Sequence, residues 1–144
     1  MSNVLKIAIC QFKIEKDKTN NIAKAKTFII NAANENANII VLPECFVCPY
    51  DINIFKNYAE NLNDTINETT TPSFYMLKTV SEEYRNIYIF GGSIIEKENN
   101  NYYNTCLVFY NGMLIGKYRK INLYKIKLTE HEFSEGDVLT SGTT

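Results

Sequence analysis

The stretch YYNTCLVFYNGMLIGKYRKINLY, residues 102–124, decides the fold. Two runs rich in aromatic and branched residues flank Asn111-Gly112. That dipeptide suits a two-residue hairpin turn, because both positions of such a turn need positive φ. Residues 102–110 and the run from Met113 onward are therefore predicted to be paired antiparallel strands. Alternation along the second strand puts Lys117 and Arg119 on one face and Tyr118 and Lys120 on the other. Lys120 thus points to the side that carries the aromatic ring.

Upstream, residues 87–95 (IYIFGGSII) read as a strand interrupted by Gly91-Gly92. Before it, Thr71-Pro72 marks a helix start, with a cap residue ahead of a proline at the first helical position. Phe74, Leu77, Val80, Ser81 and Tyr84 would share one face of that helix. Residues 52–60 are read as a short helix, and residues 39–42 as an apolar strand buried on both faces. Residues 20–36 have apolar positions at helical spacing, and residues 4–12 form a first strand. Strand, helix, strand, helices, strand and hairpin in that order make a mixed α/β chain with helices covering a sheet. No repeat or linker divides the 144 residues, so one domain is expected. The tail EHEFSEGDVLTSGTT shows no closing strand or helix. The hairpin would keep an uncovered face, which complete proteins avoid, so the chain is expected to be part of a longer one.

The net charge of −1 argues against a partner held by bulk electrostatics, whether nucleic acid or membrane surface. No apolar run approaches the ~20 residues of a membrane span, and the first apolar run is too short for a signal peptide. A cytoplasmic protein is expected, with Cys10, Cys45, Cys48 and Cys106 reduced. Cys45-x-x-Cys48 has ligand-like spacing, but a structural zinc site wants four ligands and His131 is the one histidine in the sequence. A redox pair would have to open a helix, and here Pro43 and Pro49 bracket it. Gly91-Gly92 lacks the lysine and third glycine of phosphate-binding loops, so it reads as a bulge or close packing.

The stretch VLPECFVCPY, residues 41–50, sets Glu44 at the end of a buried strand. Desolvation there would raise its pKa and poise it as a proton acceptor. The alternative is a solvated glutamate at a strand end, matched by a solvated hairpin lysine at Lys120. Cys45 adjoins Glu44 but would point to the opposite face, so Cys45 and Cys48 read as structural residues.

LPECFVCPY resembles the glutamate motif of the nitrilase superfamily, the carbon–nitrogen hydrolases. YNTCLVFYNGMLIGKYRKINLY resembles that family's lysine motif with its hairpin, and IYIFGGSIIEKE resembles the strand between the two. Order and separation match over essentially the whole chain, and LPECF, GGSI and YNTC…KYRKI look most like the omega-amidase branch.

The resemblance implies the first half of a four-layer α-β-β-α sandwich and hydrolysis of a small aliphatic amide. Glu44 matches the general base, and Lys120 the cation that stabilises the oxyanion. Glu130 matches the second glutamate, which orients the lysine, when Gly136-Asp137 is aligned with the family's glycine-aspartate pair. The nucleophilic cysteine lies in the family beyond that pair, so this chain alone is expected to be inactive. No cofactor and no metal are implied, and a homo-oligomer, a homodimer in the simplest case, is expected. A catalytically dead short form acting as an interaction module is the alternative.

Overall fold

The computed structural model describes residues 4–128 and 131–143. Its centre is one mixed sheet. β1 (Ile7–Ile9) pairs in parallel with β2 (Ile39–Val41), and β2 in parallel with β4 (Tyr88–Phe90). β6 (Asn101–Tyr110) is the long spine. Along one edge it takes β4 and then β5 (Ile94–Glu98), both antiparallel, and along the other it takes β7 (Met113–Arg119). A two-residue strand, β3 (Glu60–Asn61), adds in parallel to β5, and β8 (Lys125–Leu128) with β9 (His131–Ser134) forms a separate antiparallel ribbon.

Two helices cover one face. Helix α1 (Lys18–Asn34) begins where Asp17 accepts the Asn20 N–H at 3.0 Å, an N-cap that satisfies one orphan donor. It ends in a Schellman arrangement, with Ala37 N–H on Ala32 O (3.1 Å) and Asn36 N–H on Ala33 O (2.9 Å). Asn36, rather than glycine, takes the left-handed position at φ 60°. Helix α2 (Pro72–Glu83) has proline in its first turn as expected, but Thr71 does not cap it. The Thr71 hydroxyl is tied to the backbone of Asn67, and the cap comes from Glu60 in β3. That buried carboxylate accepts the N–H groups of Ser73 and Phe74 at 3.0 and 3.2 Å and pairs with Lys18 at 2.9 Å. A carboxylate at a helix N-terminus also meets the positive end of the helix dipole.

Strand alternation divides the sheet. Ile40, Ile89 and Phe109 lie in cross-strand register on the helix side and are fully buried, packed in one core with Ile29, Leu77 and Val80. The neighbouring row, Ile9, Val41, Phe90 and Val108, lies on the other side, where Ile9 is 79% and Phe90 38% exposed. The described residues therefore form a helix layer and a sheet layer, with the second face of the sheet open. No helix among them is long and apolar enough to cross a membrane.

Two boundaries differ from the sequence reading. Residues 52–60 were expected to be helical, yet only Phe55–Tyr58 make a single 3-10 turn, and Glu60 instead enters the sheet. The strand over 87–95 is interrupted at its glycines as expected, and the break is complete: the backbone leaves the ladder at Gly92, where φ is 58°, and the second strand resumes at Ile94 and runs on to Glu98. The tail expected to lack structure carries β9 and a short 3-10 turn, Glu135–Asp137. The hairpin turn forms at Asn111 (φ 52°) and Gly112 (φ 77°), the paired positive values of a type I′ turn. Asn111 Oδ1 accepts the Asn86 N–H at 2.7 Å, and the Gly112 N–H donates to Ser81 Oγ at 3.0 Å, which docks the turn on the end of α2.

Candidate active site

β2 runs out at Val41, and one further hydrogen bond, Leu42 N–H to Phe90 O (2.9 Å), carries the chain to Pro43. A turn then begins at Glu44, and Cys45 adopts φ 50°, a left-handed backbone that a side chain makes costly by roughly 1–2 kcal/mol. Both Cys45 and Cys48 are buried among apolar side chains. Glu44 is directed the other way, to the open face of the sheet, but its side chain is 49% exposed. The burial expected to perturb Glu44 is therefore not found. Its surroundings are set by charged and polar partners.

Those partners come from the hairpin. Lys120 follows β7 directly and lies on the same face as Tyr118, as strand parity predicts. Its backbone is fixed on both sides: Lys120 N–H donates to Asn104 O (2.8 Å), and Gly142 N–H donates to Lys120 O (2.9 Å). The ammonium donates to Glu44 Oε1 at 2.9 Å and to Tyr50 Oη at 3.4 Å, and it pairs with Glu135 Oε2 at 2.9 Å. Burial acts to lower the Lys120 pKa, but the bonds to Glu44, Glu135 and Tyr50 outweigh it and hold the amine protonated well above the usual lysine range.

Glu130, the sequence candidate for the second glutamate, lies outside the described residues. The carboxylate beside Lys120 is Glu135, at the start of the 3-10 turn that follows β9. Ser134 caps that turn by accepting the Gly136 N–H at 3.2 Å. The Glu135 side chain is fully buried. Burial alone would raise its pKa, but the Tyr50 hydroxyl, the Tyr124 N–H and the Lys120 ammonium all bond to it and keep it below the usual carboxylate range. Parity over residues 131–134 and the serine cap ahead of Glu135 are the signals that could have found it.

Asn104 was also missed. It is buried in β6, and its Nδ2 donates to Glu44 Oε1 at 2.8 Å and to Glu135 Oε1 at 3.5 Å. One amide and one ammonium therefore each bridge the two carboxylates. An asparagine inside a strand pattern looks like a solvated position, and only the register of β6 with the neighbouring strands reveals otherwise.

Glu44, Asn104 and Lys120 line a cleft of about 290 Å³ whose other walls are largely apolar, including Leu42, Phe90, Cys106 and Tyr118, while the fully buried Glu135 is not among its walls. A carboxylate, an ammonium and a carboxamide on the wall of an apolar cleft, with a second, buried carboxylate paired to the ammonium, can take up a proton and hold a developing negative charge. All four cysteines are free, and burial raises each thiol, Cys48 up to about 12, so none is in surroundings that favour a thiolate. Among the described residues no group of three His, Cys, Asp or Glu side chains gathers as a metal site.

Comparison with known proteins identifies the family. The carbon–nitrogen hydrolase family matches residues 6–144. The chain is 39% identical over 139 residues to the omega-amidase NIT2 of Homo sapiens, covering 95% of this chain and 48% of that protein. It is 39% identical over 140 residues to the chloroplastic omega-amidase of Arabidopsis thaliana, covering 96% of this chain and 37% of that protein. The crystal structure of Saccharomyces cerevisiae Nit3, a member of branch 10 of the nitrilase superfamily, superimposes with a TM-score of 0.80 at 31% identity. That superposition covers 97% of this chain and 49% of Nit3. The chain thus spans about half, or less, of the length of these relatives. Over that span it belongs to the carbon–nitrogen hydrolase family.

Proposed function

We propose that the protein containing this chain is an amidase that hydrolyses the terminal amide of a short aliphatic substrate, with Glu44, Lys120 and Glu135 in its reaction centre. The observation that carries this reading is the Lys120 ammonium on the wall of an apolar cleft, held 2.9 Å from each of two carboxylates. The similarity to omega-amidases supports the substrate class, a 2-oxo dicarboxylate monoamide such as 2-oxoglutaramate.

In this reading a cysteine outside residues 1–144 attacks the amide carbon, and Glu44 accepts its proton. The C–N bond breaks as that proton passes to the nitrogen, and ammonia leaves a thioester. Glu44 then takes a proton from water, whose oxygen attacks the thioester. The acid is released and the thiol is restored. The local charges suit the first step. Before attack, Glu44 and Lys120 neutralise one another. When Glu44 becomes protonated it releases its hold on the ammonium as negative charge appears on the substrate oxygen. Lys120 then exchanges one anion for another with little reorganisation, which is the condition for strong electrostatic stabilisation. Glu135 keeps the ammonium in place throughout, and Asn104 holds Glu135 and Glu44 at a fixed separation.

The test is ammonia release from 2-oxoglutaramate by the full-length protein. Turnover is expected in the wild type, with a loss of ~10²–10³ or more in Lys120→Ala and in Glu44→Gln. Near-normal turnover in Lys120→Ala would remove the assignment. No release from any short primary amide would remove the amidase reading.

A further inference from the structure

The backbone on either side of Glu44 is held by a residue of the cleft wall that bonds to neither carboxylate nor to Lys120. Glu44 is half exposed, and the partners of its carboxylate are Asn104 and Lys120. Proton transfer must loosen the second of these, so the position of Glu44 has to be fixed from its own backbone. That backbone is strained, because Cys45 carries a side chain at φ 50°. Such a conformation persists only where its surroundings enforce it.

Ser93 enforces it. Its N–H donates to Pro43 O at 3.3 Å, and its Oγ accepts the Cys45 N–H at 2.9 Å. Its hydroxyl proton is directed at Cys45 Sγ, 3.9 Å away. One serine therefore grips the carbonyl before Glu44 and the amide after it. The approach depends on Gly92, since a Cβ there would lie 1.9 Å from Pro43 O. Ser93 is 6% and Cys45 1% exposed, so water has little access to replace the hydroxyl.

We propose that Ser93 is a positioning residue for the reaction, holding the left-handed turn at Cys45 that aims Glu44 at Lys120. The inference rests on the reading of Glu44 as the base. Removing the hydroxyl leaves a buried N–H without its acceptor and lets Cys45 relax towards negative φ. That rotates the peptide after Glu44 and swings the carboxylate away. A displacement near ~1 Å costs up to about 10²-fold in rate.

The test uses the full-length protein with 2-oxoglutaramate, at a temperature where circular dichroism shows each variant folded. Ser93→Ala is expected to lower kcat by about 10- to 100-fold with KM within about twofold. Glycine adopts φ 50° freely, so Ser93→Ala combined with Cys45→Gly is expected to recover most of that loss. A purely structural serine would leave kcat per folded molecule unchanged. If Ser93→Ala does not fold, the double variant decides: near wild-type kcat supports the proposal, and a rate as low as that of Glu44→Gln overturns it. Ser93→Ala within about twofold of wild type, or a folded double variant no better than the single, also overturns it. Glu44→Gln is assayed in parallel to separate the two levels. Turnover retained there removes the base itself, whereas an inactive Glu44→Gln beside an unaffected Ser93→Ala removes only the clamp.

Discussion

Glu96 offers the sharpest test of how the lysine strand is held. Its carboxylate is buried on the helix side of the sheet. It accepts Arg119 Nε at 2.9 Å and Nη2 at 2.8 Å, Lys117 Nζ at 2.6 Å and Thr105 Oγ1 at 2.7 Å. Burial would raise its pKa, but the bonds from Arg119, Lys117 and Thr105 overcome that and bring it down to about 2. Against about 4.3 for a free glutamate, the gap of ~2 units corresponds to about 3 kcal/mol of stability at neutral pH. A second route gives the same size. Breaking a buried ion pair costs ~3–5 kcal/mol, and the low end applies because Glu98 still holds Arg119. Because the folded pKa is depressed, the contribution is complete above the unfolded value and disappears as pH falls from about 4.3 to about 2. Glu96→Gln should therefore be less stable than wild type by about 3 kcal/mol at pH 7, with the gap closing over that acid window. Urea unfolding of the full-length protein, followed by far-UV circular dichroism at several pH values, measures this. A gap below about 1 kcal/mol at pH 7, or one that stays constant into acid, would refute the argument.

Three further outcomes follow from the same contacts. Glu60→Ala removes the cap of α2 and the partner of Lys18, and should destabilise by about 2 kcal/mol in urea titrations. Glu135→Gln should lower turnover by about 10²-fold, whereas Glu130→Gln should leave it near wild type if Glu135 is the partner of Lys120. Asn104→Leu should cost at least ~10-fold in kcat by releasing both glutamates, and Asn104→Asp should cost more, since a third carboxylate repels the other two.

The parts of this molecule that a sequence reader can see are those governed by local rules. Asn111-Gly112 announces its turn because few other dipeptides tolerate two positive φ values, and period-two alternation carries that certainty to Lys120. Glu44 stands out through its motif, yet the reason first given for its chemistry, burial, was not the one the fold supplies. What escaped depends on distant pairing. Glu60 sits in a two-residue strand too short to show alternation, and its cap contacts lie 13 and 14 residues away. Glu135 was passed over because the alignment was anchored on Gly136-Asp137, and because the polar tail EHEFSE disguised a strand. The left-handed turn at Cys45 had no local signal, since neither glycine nor asparagine marks it.

The hairpin turn has a consequence for the chemical lifetime of the protein. Asparagine followed by glycine is the pair most prone to spontaneous deamidation, because glycine leaves its nitrogen unhindered for attack on the asparagine side chain. In this fold the Gly112 nitrogen is buried and committed to Ser81 Oγ, while the Asn111 carboxamide oxygen holds Asn86. The attacking nitrogen is engaged elsewhere, and the carboxamide it would have to reach is held in place through its oxygen. Succinimide formation is thus reserved for molecules in which the turn has come off α2. The isoaspartate that accumulates at residue 111 becomes a clock for time spent unfolded, written into the strand pair that leads to Lys120.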